Sequence, residues 1–353
     1  QRAESLGGLF YLLTLYCAVR AHDSARGGWW WAGAAAAFLL GLGCKQVIVV
    51  APVLVALYYW VFFPGSFRGR GARWTCAALG ALWLAGTVWL VVHSAHVSAG
   101  LGLKAVSPWA YALTQSQVLL HYLWLALWPS ELCIDYAWPL VEEPRVVLMP
   151  LAVIALLILA TCWGLAKRRR SAFLGAWFFV ILAPTSSFLP LADAAMEHRM
   201  YLPLAAVVLL VVVAVHRCGE WLGDKALAGG KHVAWARTCT WGLFGLIAAL
   251  LAHATLQRNG DYESELSLWG DTVRKRPHNP RAHVNLATAL AKSGRLVEAL
   301  EHSREAVRLS PELAEAQAQL GDLLADGGSP EEALPHLRAA LRLDPNLAIT
   351  QNN

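Results

Sequence analysis

The densest group of reactive side chains in the sequence is the stretch DAAMEHRMYLP, which runs from Asp193 to Pro203. It sets a carboxylate, an imidazole and a guanidinium side by side in Glu197, His198 and Arg199. A guanidinium binds two phosphate oxygens at once, and a carboxylate or imidazole can orient or deprotonate a hydroxyl. The stretch could therefore hold a phosphorylated donor beside an acceptor hydroxyl. An interfacial salt bridge with a helix-capping role explains the same residues.

Further ionisable residues lie beside apolar runs, where a charge is costly unless it is paired or functional. Lys45 separates two such runs, and its ammonium group either reaches the membrane surface or meets an anion; we favour the anion. Asp135 is a weaker candidate, because a turn near the lipid headgroups explains it better. The first apolar run is preceded by Gln1, Arg2 and Glu4, and an ordinary ion pair is the alternative explanation for Arg2 and Glu4.

The chain that positions these residues has the composition of a membrane protein, with 57% hydrophobic residues, 17 Trp and 15% charged residues. We predict about eight membrane spans. They lie near 6–20, 29–43, 47–63, 74–93, 146–166, 171–190, 200–216 and 235–254. The stretch from Trp109 to Trp128 is also apolar, but polar residues interrupt it. We therefore predict a helix that lies in the outer membrane interface.

The Lys and Arg residues between these runs predict the orientation. Thirteen fall on one side of the predicted membrane and five on the other, so the first side should be cytoplasmic. All the candidate residues then lie on the non-cytoplasmic face, together with an outer loop at 94–145. The final span leaves the repeats described next on that face too, which predicts a multi-pass plasma-membrane protein.

From residue 258 the sequence changes to a helical repeat with an offset of 34 residues. A half unit at 258–279 precedes full units at 280–313 and 314–347, and the units end near Pro277, Pro311 and Pro345. The pattern resembles the tetratricopeptide repeat, in which small residues let paired helices pack closely. We predict a membrane domain at 1–257 and a repeat domain at 258–353 that binds extended peptides; a spacer or oligomerisation role is the alternative.

Charge and cysteine content narrow the function classes. The net charge of +5 combines a basic portion at 1–257 with an acidic portion at 258–353, so nucleic acid is not an expected partner. The seven cysteines are scattered, with no CxxC pair. We therefore predict neither a disulfide framework nor a metal site, and no cofactor.

Four segments resemble bacterial relatives of the transmembrane and tetratricopeptide-repeat-containing O-mannosyltransferases. They are QRAESLGGLFYLLTLY at the start, GLGCKQ at 41–46, HYLWLALWPSELCIDYAWP at 121–139 and PTSSFLPLADAAMEHRMYLPL at 184–204. The resemblance implies an all-α GT-C glycosyltransferase fold, here partial, in which a polytopic helical bundle precedes an α-solenoid. It also implies transfer of a sugar from a polyprenyl-phosphate carrier to a protein hydroxyl.

On this resemblance Arg2, Lys45 and Arg199 are candidates to bind the donor phosphate, and Glu197 and His198 are candidates for the catalytic pocket. Gln1, Glu4, Asp135 and Asp193 are further candidates on the same face. The family's catalytic acid is expected upstream of the QRAE segment, so we expect the chain to be a fragment without its general base. Relatives also carry Lys-Glu where this chain has Lys-Gln at 45–46, so a carboxylate that could pair with Lys45 is absent from position 46.

Two rival functions remain open from the sequence. One is a membrane-anchored repeat scaffold that assembles envelope proteins without catalysis, and the clustered polar residues disfavour it. The other is a lipid-linked oligosaccharide ligase or polymerase, against which the peptide-binding repeats argue.

Overall fold

The computed structural model describes residues 2–63, 65, 80, 107–141, 143–188, 190–191, 193–226 and 230–347. The side chains of residues 2, 46, 221–226, 230–237 and 239–240 lie outside that description, as does the predicted span at 74–93 apart from residue 80. Over the described residues the secondary structure is helical and contains no strand. The predicted all-α class is therefore confirmed.

Backbone contacts divide the chain into two compact units. The first unit is Gln1–Ser130 with Trp138–Ala228, and the second is Glu131–Ala137 with Gly229–Asn353. The helices of the first unit are α1 (Arg2–Asp23), α2 (Gly27–Leu42), α3 (Ala51–Phe62), α4 (Pro108–Leu127), α5 (Leu148–Ala166), α6 (Ala172–Leu182) and α7 (Pro203–Ala226). Short 3-10 helices span Gln46–Val50, Pro144–Val147 and Glu197–Met200.

Prolines mark several helix boundaries in the first unit. Pro108 and Pro203 begin α4 and α7, because a helix needs no amide donor in its first turn. Helix α6 ends at Leu182, well short of the predicted span at 171–190. Pro184 explains this difference, since a proline has no amide hydrogen and cannot continue the hydrogen-bond ladder of the helix.

The core of the first unit joins helices that are distant in sequence. Tyr11 of α1, Ile48, Leu54 of α3 and Ile181 of α6 are buried together there. Gly41 permits this packing, because a Cβ atom at that position would lie 2.5 Å from Cδ1 of Ile48. The turn between α2 and α3, which carries Lys45, is therefore held by the packing of Ile48 against Gly41 and the core.

Among the described residues, two helical segments are long and apolar enough to cross a membrane. They are Pro144–Ala166 and Pro203–Glu220, and only 11% of the apolar window of each is buried. Val47–Phe62 and Ala172–Leu182 are apolar but shorter.

The helices of the second unit are α8 (Gly230–Gly260), α9 (Glu265–Lys275), α10 (Pro280–Lys292), α11 (Leu296–Leu309), α12 (Ala314–Asp326) and α13 (Pro330–Leu343). Helix pairs α10–α11 and α12–α13 repeat at the predicted 34-residue offset. Gly294 and Gly328 close the first helix of each pair with φ of 79° and 83°, in the left-handed region that favours glycine.

The predicted half unit at 258–279 is not one continuous helix. Helix α8 ends at Gly260, and α9 begins only after Ser264. The hydroxyl of Ser264 accepts a hydrogen bond from the amide of Ser267 at 3.0 Å, and the Ser267 hydroxyl accepts one from the amide of Ser264 at 3.2 Å. This reciprocal cap starts a new helix at a point that apolar periodicity does not reveal.

Candidate functional site

A cavity of about 290 Å³ in the first unit gathers five of the residues singled out from the sequence. Its lining includes Glu4, Lys45, Asp193, His198 and Arg199. They come from α1, from the turn after α2 and from the segment before α7. The cavity therefore assembles one polar site from three parts of the chain.

Two glycines let α1 approach the other segments at this cavity. A Cβ atom on Gly7 would lie 3.3 Å from Cβ of Lys45, and one on Gly8 would lie 2.7 Å from Cε1 of Tyr201. Larger residues would push the turn and the segment before α7 away from α1. The GG pair in the first helix thus sets the width of the cavity.

Lys45 is the cavity's ammonium group, and it contacts the carboxylate of Glu4. Partial burial and the positive charge of Arg199 lower the pKa of Lys45 to about 8. Contact with Glu4 opposes this effect, because a nearby carboxylate favours the charged form. Lys45 is therefore predominantly protonated at neutral pH and can exchange its carboxylate partner for another anion.

His198 lies on the other side of the same carboxylate, with Nε2 3.7 Å from Oε1 of Glu4. Partial burial and the charges of Lys45 and Arg199 lower the pKa of His198 to about 4, although Asp193 acts in the opposite direction. The imidazole is therefore neutral at pH 7. A neutral imidazole can accept a hydrogen bond from a hydroxyl group, as can Glu4.

Arg199 directs its guanidinium at the backbone of its own surroundings. One terminal nitrogen donates to the carbonyl oxygens of Thr185 and Ala194, each at 3.0 Å, and the other donates to that of Asp193 at 2.5 Å. The hydroxyl of Tyr111 lies 3.4 Å from the first nitrogen. These bonds make Arg199 a residue that shapes the cavity wall.

Helix α4 supports the same wall through residues that the sequence did not single out for this role. Tyr111 donates to the carbonyl of Thr185 at 2.9 Å, and Gln115 donates to that of Ala194 at 3.1 Å. The Tyr122 hydroxyl accepts a hydrogen bond from the amide of Met196 at 2.6 Å. The three α4 side chains are buried on one helical face. Their spacing of four and then seven residues was the available signal.

The remaining candidates do not line this cavity or lie outside the description. Glu197 begins the 3-10 helix before α7 but is not among the lining residues. Gln1 lies outside the described residues, and for Arg2 only the backbone is described. Within the described part of the chain, no three His, Cys, Asp or Glu residues are grouped to hold a metal ion.

Asp135 belongs to the second unit, where it forms a different arrangement. Its Oδ1 atom accepts a hydrogen bond from Arg281 at 2.7 Å, and its carbonyl accepts one from Asn279 at 3.2 Å. Lys275 donates to the carbonyl of Leu132 at 2.8 Å. The segment Glu131–Ala137 is thus held against the end of α9 and the start of α10, through two backbone carbonyls and also through side chains such as that of Asp135.

Comparison with known sequences agrees with both parts of the chain. The tetratricopeptide-repeat family profile matches residues 255–314 and 304–348, which confirms the predicted repeat. Protein O-mannosyl-transferase TMTC1 of Homo sapiens is 29% identical over 222 residues, or 59% of this chain and 24% of that protein. Protein O-mannosyl-transferase Tmtc3 of Drosophila melanogaster is 28% identical over 207 residues, which are 55% of this chain and 21% of that protein.

The chain spans about a quarter of the length of these curated relatives. A solved structure of MamA covers 54% of this chain at 22% identity, but its TM-score of 0.22 is too low to carry a structural argument. The sequence relatives and the repeat profile together confirm the resemblance found in the sequence. The chain is a distant relative of the TMTC protein O-mannosyl-transferases, and it carries tetratricopeptide repeats.

Proposed function

We propose that the chain is part of a membrane protein O-glycosyltransferase. It would move a mannose-like sugar from a polyprenyl-phosphate donor to protein hydroxyl groups on the non-cytoplasmic face. The observation that carries this proposal is the cavity in which Glu4, Lys45 and His198 meet. The printed names of the relatives, which describe protein O-mannosyl transfer, support the same chemistry.

Lys45 is the residue that we propose to bind the donor phosphate. Its ammonium group is charged at neutral pH, and the carboxylate of Glu4 that contacts it can be displaced by a phosphate oxygen. Glu4 and the neutral His198 would then orient the acceptor hydroxyl. As the bond between the sugar and the phosphate breaks, Lys45 would stabilise the departing phosphate. Arg199 supports the site by holding the wall.

A multi-pass membrane arrangement is part of the same proposal. Two helical segments with the length and apolar character of spans support it. Helix α8 adds support, because Trp241, Leu246, Leu250 and Leu256 are all exposed along it. A large exposed apolar surface of this kind is typical of lipid contact. The excess of Lys and Arg on one side supports a non-cytoplasmic position for the cavity and the repeats.

The repeats would bind the acceptor polypeptide. Their contacts with Glu131–Ala137 support this role, because Lys275 and Asn279 each donate a hydrogen bond to a backbone carbonyl of that segment. A surface that binds carbonyl groups accepts many extended sequences. Peptide binding by the repeats also fits the alternative of a non-catalytic scaffold. The two functions therefore differ in whether the protein binds the sugar donor.

Donor binding by the full chain in detergent tests the proposal, with radiolabelled polyprenyl-phosphate mannose as the probe. Lys45→Met should weaken binding at least tenfold, whereas the control Lys292→Met, at an exposed lysine of the second unit, should not change it. Donor binding that is absent from the wild type, or unaffected by Lys45→Met, would favour the scaffold.

A further inference from the structure

A cluster of cations and aromatic rings lies in the first unit where α5 ends. Residues 167–170 are Lys-Arg-Arg-Arg, and Trp60 and Phe62 at the end of α3 and Trp163 in α5 lie beside them. We call these residues the basic-aromatic patch. None of them lines the cavity described above.

The arginines of the patch are stacked on its rings. The guanidinium carbon of Arg168 lies 4.2 Å from the ring centre of Trp60, and that of Arg169 lies 4.4 Å from the ring centre of Trp163. The indole nitrogen of Trp60 donates to the carbonyl of Leu165 at 3.1 Å, which fixes that ring on α5. Two cations are therefore held in place by cation–π contacts.

The backbone also fixes the patch. Arg168 has φ of 53°, and the amide of Arg169 donates to the carbonyl of Gly164 at 2.8 Å. A Cβ atom on Gly164 would lie 2.6 Å from Cβ of Ala172, so α5 and α6 meet closely at this turn. The cations are consequently presented from a tight turn and not from a long loop.

The chemistry of the patch suits phosphate at the surface of a membrane. A guanidinium that stacks through its face directs its N–H donors outward in its own plane, the geometry that suits phosphate oxygens. Helix α5 is apolar and mostly exposed, so a patch at its end lies at headgroup depth if α5 crosses the bilayer. The sequence has no Asp or Glu at 24–130 or at 144–192, the stretches that supply the patch.

We propose that the basic-aromatic patch binds the phosphate of anionic phospholipid headgroups. The proposal depends on α5 crossing the membrane and is independent of sugar transfer. Arg168 and Arg169 donate to the phosphate oxygens, and Trp60 and Trp163 lie among the headgroups, a common position for Trp in membrane proteins. The ligand class is a phosphatidylglycerol-like lipid, and free phosphate binds too weakly to replace it.

Native mass spectrometry of the full chain in detergent tests this binding, with equal amounts of phosphatidylglycerol and phosphatidylcholine as probes. We expect the wild type to prefer phosphatidylglycerol by about tenfold or more. The triple variant Arg168→Gln, Arg169→Gln, Arg170→Gln should lose that preference. A matched variant that removes three exposed arginines of the second unit should keep it, and its changes are Arg304→Gln, Arg338→Gln and Arg342→Gln.

Two further arms keep the test decisive. If the triple variant does not fold, Arg169→Gln alone should lower the preference severalfold, because Arg169 stacks on an exposed ring. Inorganic phosphate at the concentration of the lipid should not displace it. An unchanged preference in the patch variants, or displacement of the lipid by phosphate alone, would overturn the proposal.

Discussion

Replacement of Arg199 by Ala should open the wall of the cavity before it affects any ligand. The guanidinium donates to three backbone carbonyl oxygens, those of Thr185, Asp193 and Ala194. A hydrogen bond from a charged donor contributes about 1.5–3 kcal/mol. The sum over the three hydrogen bonds is an upper limit, since Arg199 is only half-buried and water can replace part of this hydrogen bonding. We expect a local loss of about 3–5 kcal/mol, at the top of the range for one substitution.

Hydrogen exchange of the full chain in detergent measures this loss at the amides of residues 194–199. With 1.4 kcal/mol per tenfold change, exchange should become at least about 100-fold faster. Arg199→Lys keeps the charge but loses the planar fork, so its effect should be intermediate. The control is Arg145→Ala, at an exposed arginine, which should change exchange little. If Arg199→Ala leaves this protection intact and yet abolishes donor binding, then Arg199 binds phosphate directly and the reasoning is wrong.

Three further predictions concern acidity and packing. In a pH titration, the affinity for the donor phosphate should stay constant from pH 5 to 7, because the pKa of His198 is about 4. The affinity should fall as pH rises through about 8, because Lys45 then loses its proton. Lys45→Arg should remove this fall. Burial raises the pKa of Asp271, but hydrogen bonds from basic neighbours outweigh burial and hold it below 3.8. The contribution of this carboxylate to stability is thus complete above pH 3.8 and is lost as pH falls through its lowered pKa. At neutral pH, Asp271→Asn should lower the free energy of opening of α9, measured by hydrogen exchange, by about 3–5 kcal/mol. Gly321→Ala should lower the free energy of opening of α12, measured by hydrogen exchange, by about 1–2 kcal/mol, because the new Cβ would lie 2.6 Å from two atoms of Leu337. Leu337→Ala should lower it less in the Gly321→Ala variant than in the wild type.

Most of the helical architecture could be predicted from the sequence, because it depends on local patterns. The 34-residue offset predicted the repeat pairs, and the same offset relates Gly294 to Gly328. Size complementarity within a pair could not be predicted in this way. Gly321 packs against Leu337, whereas the equivalent positions of the preceding unit are Ala287 and Ser303, both fully buried. The repeat period predicts where the helices lie, but it does not predict which helix contributes the larger side chain to each contact.

The cavity contains some of the candidate residues, but the contacts of each one could not be predicted from the sequence. The residue types predicted that Glu4, Lys45, His198 and Arg199 could serve one polar site, and the cavity contains all four. Sequence could not show that Arg199 donates to backbone carbonyls, since that depends on where α4 and the segment before α7 pack. Sequence also could not show that the carboxylate of Asp135 accepts a hydrogen bond from Arg281, which lies 146 residues away in sequence.

The sequence by itself determined the helical class, the repeat, the apolar character of the first unit and the set of reactive residues. Each of these follows from composition or from spacings of a few residues to one repeat. Only the tertiary structure decided which charges meet. Lys45 reaches Glu4 across 41 residues because Gly7 leaves room for the turn after α2. Such contacts depend on the close packing of distant segments, and no local pattern encodes that packing.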